Sequence, residues 1–102
     1  MKMRFTWDEA KNRSNQRKHD GIAFEEAAYV FRDPFRLTQQ DRFEGGEDRW
    51  QTIGVVHGVT VLLVAHTITE DDDDGEPVEK IRIISARRAT PRERKHYEQE
   101  NR

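Results

Sequence analysis

Hydrophobic positions in the first residues alternate. Met1, Met3, Phe5 and Trp7 fall on one side and Lys2, Arg4 and Thr6 on the other, which predicts a half-buried strand over Met1–Trp7. Asp8 then caps a helix running to about His19. Ala10 is its only apolar residue, so it carries no stripe for a core to hold. Lys11, Asn15 and His19 recur at four-residue spacing along one face, with Lys18 beside them. A helix polar all round lies in solvent, binds something, or docks through small and amide side chains. Asp20-Gly21 ends it, Gly21 supplying a left-handed stop. A second helix over Ala23–Arg32 has an ordinary core stripe of Phe24, Ala27, Ala28 and Phe31, and Asp33-Pro34 terminates it.

Beyond Pro34 the period shortens to two. Phe35–Gln40 reads as a short edge strand and Phe43–Asp48, with Gly45-Gly46, as a loop. Arg49–Val56 and Val59–Thr69 form a hairpin about His57-Gly58, a pair suited to the primed turn types. Val61–Ala65 is apolar on both faces, as a central strand covered on both sides requires. Residues 70–79, EDDDDGEPVE, are expected to form a mobile, exposed acidic loop before the strand Lys80–Ala86. A last helix opens with Thr90 at the N-cap, Pro91 at the first helical position and Glu93 closing a capping box. The order predicts one α+β domain over residues 1–102: an antiparallel sheet of four to five strands, two N-terminal helices and a C-terminal helix.

Composition narrows the class. At 102 residues with 33% hydrophobic and 37% charged positions, the core is thin and the surface busy. There is no cysteine, hence neither a disulfide frame nor a thiolate metal site. No apolar run approaches a membrane span and Met1–Lys11 lacks the pattern of a signal peptide, so a cytoplasmic location is expected. The net charge of −2 conceals a segregation. Seven acids lie in residues 70–79; without them 13 acids face 18 basic residues, and Lys80–Arg102 alone carries eight basic against three acidic residues. Near-neutrality is therefore compatible with a polyanionic partner.

The corner between the last strand and last helix holds Arg87 and Arg88, a rigid place from which to set cations against a phosphate. The same spacing serves equally for solvated residues at a strand end. The four histidines do not form a metal set: His57 and His66 are nine apart across a hairpin, with no HxxxH or HExxH spacing. No cofactor is expected. His57 reads as a turn residue and His96 as a solvated helix residue.

Several phrases together resemble the BrnT toxins, the ribonuclease halves of type II toxin–antitoxin pairs. They are Phe5-Thr-Trp-Asp-Glu-Ala-Lys-Asn12, Arg17-Lys-His19, Phe24-Glu-Glu-Ala27, Arg49-Trp-Gln-Thr-Ile-Gly54, Val64-Ala-His-Thr67 and Ile81-Arg-Ile-Ile-Ser-Ala-Arg-Arg-Ala-Thr90, followed by Glu93-Arg94 and Tyr97. The resemblance implies a fold like the RelE family of ribonucleases, RNA cleavage, and a BrnA-like antitoxin with a ribbon-helix-helix DNA-binding half. It further implies a complex of two chains of each kind that represses its own operon, touching operator DNA only through the antitoxin. One departure stands out. The family reads Lys-His-Gly at the first helix end, whereas this chain reads Lys18-His-Asp-Gly21, and the extra residue is expected to shift the two helices relative to each other.

Metal-free RNA cleavage needs a base for the 2′-hydroxyl, cations for the phosphorane and an acid for the leaving oxygen. Arg87 and Arg88 are the candidates for charge stabilisation. Lys11, at a family position linked to toxicity, is a candidate phosphate ligand or base, and His66 a candidate base or acid, or else a satisfied buried histidine. Lys18, His19 and Arg82 are candidate RNA contacts, Arg82 being equally suited to pairing with an acid on the sheet. Trp50 and Tyr97 could stack on bases, with a core role the alternative for Trp50. The competing reading is a catalytically silent homologue that only binds an antitoxin and supports repression. A direct DNA-binding module fits poorly, because no helix pair combines an apolar core with a basic recognition face.

Overall fold

The apolar run at Val61–Ala65 sits in the middle of the sheet, as its two-sided pattern requires. The computed structural model describes residues 2–101. Its elements in chain order are β1 (Lys2–Trp7), α1 (Glu9–Lys18), α2 (Phe24–Ala27) running into a tighter 3₁₀ turn (Ala28–Arg32), β2 (Leu37–Glu44), β3 (Glu47–Val56), β4 (Thr60–Asp73), β5 (Glu76–Arg88) and α3 (Pro91–Glu100). The five strands lie in the order β1-β5-β4-β3-β2. All pairs are antiparallel except β1 with β5, which run parallel, so the sheet is mixed. Met1, placed in the first strand from the sequence, lies outside the described residues.

Each face of the sheet has its own cluster. Leu62, Val64, Ile81, Ile83 and Ala86 pack against Ile22, Phe24, Ala27, Val30 and Phe31 of the helical layer. On the other face Ile53 and Leu63 meet Tyr97 of α3, with Leu37, Val61 and Ala89 around them. The Phe24, Ala27 and Phe31 stripe is buried as its spacing predicts, although the second helix is α-helical for only one turn before tightening.

Two segments read as loops are hairpins. Gly45 and Gly46 have φ of 62° and 80°, the left-handed pair that a two-residue type I′ turn requires, and they join Glu44 to Glu47. The acidic run behaves likewise: Asp74 and Gly75, at φ 52° and 84°, turn between Asp73 and Glu76, and the flanking acids extend β4 and β5. Cations on the neighbouring strands make this tolerable. Lys2 and Arg4 of β1 reach Asp73 at 3.4 and 2.6 Å, and Lys80 stands 3.8 Å from Asp71. Lys2, and after it Arg4, accordingly hold the Asp73 carboxyl below its usual range. His57-Gly58 turns as expected, closed by the Val59 N–H to the Val56 carbonyl at 3.2 Å.

Helix α1 is docked without an apolar stripe, by two buried asparagines, Asn15 against the sheet and Asn12 against α2. The Asn15 side-chain NH₂ donates to the carbonyls of Ala86 (2.8 Å) and Ile22 (2.9 Å), and its Oδ1 accepts from the Ala86 N–H (3.1 Å). Asn12 Oδ1 accepts from the Phe24 N–H at 2.9 Å, capping α2 from another helix. Of the docking modes open to a polar helix, amide docking is the one that occurs.

Candidate functional site: a cationic seam between the first helix and the last strand

The seam begins at the end of α1. Asp8 caps the helix start, accepting from the Lys11 N–H at 3.1 Å, and the helix stops at His19. Asp20 and the following Gly21 take φ of 51° and 76°, two consecutive left-handed residues. Gly21 N–H donates to Gln16 and Ile22 N–H to the His19 carbonyl. The chain thus reverses in a tight turn while Asn15 keeps the helix against Ala86. His19 is left half-buried on that turn.

Two adjoining hollows run along the seam. One, of about 260 Å³, is lined by Lys11, Ser14, Asn15 and Lys18 with Ile84 and Ser85 of β5. The other, of about 350 Å³, has Lys18, Asp20, Arg87, Arg88 and Thr90 in its wall. His19 lines both. Lys11, Lys18 and Arg88 are exposed and form no ion pair among the described residues.

The two arginines part company. A bulge at Ile84 of β5, between the pairs Ala65–Ser85 and His66–Ile83, sets the register beyond it, in which Leu63 faces Arg87 and Leu62 faces Arg88. Leu63 belongs to the α3-side cluster and Leu62 to the α1-side cluster, so the guanidiniums start from opposite faces. Arg87 forks onto Glu93 at 2.7 and 2.9 Å, and Glu93 also accepts from the Thr90 N–H at 2.9 Å to complete the capping box. The bond to Arg87 holds the Glu93 carboxyl down at about 2, against the opposing effect of burial, and Glu93 in turn raises Arg87. Arg87 thus ties α3 to the strand end, and Arg88 keeps its charge free.

Other candidates lie elsewhere. His66 is fully buried. Its Nδ1–H donates to the Thr67 carbonyl at 3.3 Å, which leaves Nε2 to accept from the Thr52 hydroxyl at 2.7 Å, and Thr52 pairs with Thr38 at 2.8 Å. Phe31 packs edge-on at 4.9 Å, and burial pushes the imidazole down to about 4. Tyr97 is buried with its hydroxyl donating to Asp33, and that burial and bond lift it to about 12. Burial alone would raise Asp33, but hydrogen bonds from Tyr97, Val55 and Phe35 outweigh it and the carboxyl is lowered. Arg82 is paired with Glu47, and Trp50 is half-buried on β3 opposite His66, lining neither hollow. The seam thus gathers Lys11, Lys18, His19, Arg87 and Arg88 and leaves out His66, Arg82, Trp50 and Tyr97. Asn15 stood on the Lys11 and His19 face in the sequence, and the amides recurring at Asn12 and Asn15 in a helix without a stripe were the one signal of its docking role; Ser85 carries no charge that marks it as part of the seam.

A one-sheet α+β domain with a cationic seam between its first helix and last strand is the class of protein these features define. Residues 7–93 match the family described as the ribonuclease toxin, BrnT, of type II toxin–antitoxin systems, and the chain belongs to that family. The crystal structure of the Brucella abortus ribonuclease toxin BrnT aligns with a TM-score of 0.55 at 21% identity, over 88% of this chain and 99% of that one, a likeness of fold. No curated protein matches the chain.

Proposed function

We propose that the chain is an endoribonuclease toxin that cleaves RNA at the seam by attack of a ribose 2′-hydroxyl on the adjacent phosphorus. The observation that carries this is the convergence of Lys11, Lys18, His19 and Arg88 on two adjoining hollows, three of them cations with no carboxylate partner among the described residues. Arg88 and Lys18 take the phosphate oxygens, where charge accumulates as the phosphorane forms. Lys11 extends the track for the backbone of the RNA. Arg87 contributes field at the rim while bound to Glu93. The buried His66 has a structural role. In this reading cleavage runs on side chains, without a metal ion.

The family description supports a cognate antitoxin as partner. In this reading it is a BrnA-like ribbon-helix-helix protein, two chains of each kind assemble in the cytoplasm, and the complex represses its operon through the antitoxin's contact with operator DNA. Induced expression of the chain alone tests the reading. Growth arrest with RNA loss, relieved by co-expressed antitoxin and absent in Arg88→Ala, is the expected result. Unimpeded growth with full antitoxin binding would favour the catalytically silent homologue.

A further inference from the structure

Cations alone do not move a proton, and the seam must contain a group that does. We infer that His19 is the residue that takes the proton from the attacking 2′-hydroxyl, an assignment that rests on the ribonuclease reading of the seam. Imidazole is the side chain whose ordinary titration range brackets neutral pH, which suits it to accept a proton there. Of the four histidines, His19 is the one that lines the hollows of the seam. His66 is sealed in the core, His57 stands in the β3–β4 turn against Tyr29, and His96 lies on α3 beside a groove on the other face.

The backbone holds His19 firmly. Its N–H donates to the Asn15 carbonyl at 2.9 Å and its carbonyl accepts from Ile22 at 3.0 Å, while Asn15 is itself bonded to β5. The charged groups that line the hollows with His19 come from three elements: Lys11 and Lys18 from α1, Asp20 from the turn, and Arg87 and Arg88 from β5. An ammonium or guanidinium ordinarily keeps its proton at neutral pH, so these serve the phosphate better than the hydroxyl. Glu93, in the first turn of α3, is spent on Arg87 and Thr90. Asp20 is the one rival acceptor on the seam.

The step balances without a co-reactant. His19 removes the 2′ proton, O2′ bonds to phosphorus and the P–O5′ bond breaks. The departing 5′ oxygen takes a proton from water, and His19 returns its own to the hydroxide. The products are a 2′,3′-cyclic phosphate and a 5′ hydroxyl.

The test is single-turnover cleavage of a short single-stranded RNA across pH 5–9 by the wild-type chain, His19→Gln, His19→Ala with and without added imidazole, and Asp20→Asn. Asparagine tolerates the left-handed backbone at that position. Expected is a fall of about 10²–10⁴-fold in rate for both His19 variants. The acidic limb of the wild-type profile should vanish in His19→Gln, imidazole should restore His19→Ala, and Asp20→Asn should keep the wild-type profile. Wild-type cleavage with the limb intact in His19→Gln, or the limb lost in Asp20→Asn alone, overturns the assignment and leaves the ribonuclease reading standing. Absence of cleavage by the wild-type chain overturns both.

Discussion

Asn15 and Ala86 are bound to each other in both directions: the side-chain amide donates to the Ala86 carbonyl at 2.8 Å and accepts from the Ala86 N–H at 3.1 Å. Strand β1 ends its pairing at Trp7 opposite Ile83, so at Ala86 the outer edge of β5 has no strand neighbour. The asparagine takes that neighbour's place. It satisfies a buried backbone pair and docks, two residues before Arg88, the helix that carries Lys11, Lys18 and His19. The seam exists because this one amide brings its two sides together.

Replacing Asn15 with alanine should therefore strand the Ala86 N–H and carbonyl and the Ile22 carbonyl. The expected loss is about 2–3 kcal/mol of unfolding free energy in a urea titration. Asn15→Asp keeps the acceptor and loses the donor, so it should fare little better. A loss below about 0.5 kcal/mol in Asn15→Ala, within the range of an ordinary surface change, would show that the helix is held by something else.

His66 predicts a particular acid sensitivity. Its folded value of about 4 lies below the ordinary 6.5, so the unfolded chain binds the proton more readily. The contribution is fully present above pH 6.5 and is lost as pH falls toward 4. Its size is on the order of 3 kcal/mol at most. Guanidine midpoints measured from pH 7.5 to 4.5 should fall in the wild-type chain and stay flatter in His66→Gln. Equal slopes in both would contradict the buried neutral imidazole.

Tyr97 anchors the far end of α3. Its hydroxyl donates to Asp33, whose carboxylate also accepts from the Val55 N–H at 2.8 Å and the Phe35 N–H at 2.8 Å. Tyr97→Phe should cost about 1–2 kcal/mol. Amide hydrogen exchange should quicken in the last turns of α3 and leave β4 protected. Unchanged exchange throughout α3 would mean that the Arg87–Glu93 tie suffices by itself.

Much of this was legible in the residues, and the gaps have physical causes. Thr90, Pro91 and Glu93 announced their helix because capping is local chemistry, and the capping box forms as spelled. The doubly apolar Val61–Ala65 run announced the centre of the sheet. The acidic hairpin was hidden because its strands are built from residues that avoid strands, and the Asp74-Gly75 turn signal drowned among like charges. The β1 cations that reach Asp73 lie far from it in sequence, and Lys80 beside Asp71 comes from the returning strand. The seam was half legible. Its cations stood in view, but whether Arg87 and Arg88 act as a pair depends on a bulge in the strand and on Glu93, whose service as a cap gave no hint of its second bond. His66 sat where the pattern placed it, yet pattern cannot distinguish a buried end of a strand from an exposed one.

The division of labour between the arginines has its own test in acid. Glu93, held at about 2 chiefly by Arg87, contributes stability that is present above the ordinary carboxyl range and is lost as pH falls toward 2. Arg87→Ala should remove part of that dependence. The change is small, below about 1 kcal/mol, since both side chains are partly exposed. Arg88→Ala should leave the acid limb as it is. The same limb in all three chains would argue against the Glu93 clamp.

The most direct measurement is RNA cleavage in EDTA by the wild-type chain and by Arg88→Ala, with thermal melts of both. The account predicts wild-type fragments bearing 2′,3′-cyclic phosphate and 5′-hydroxyl ends, and a rate about 10²–10³-fold lower in Arg88→Ala at an unchanged melting temperature. Arg88→Ala cleaving as fast as the wild-type chain, or wild-type activity that EDTA abolishes and magnesium restores, would contradict it.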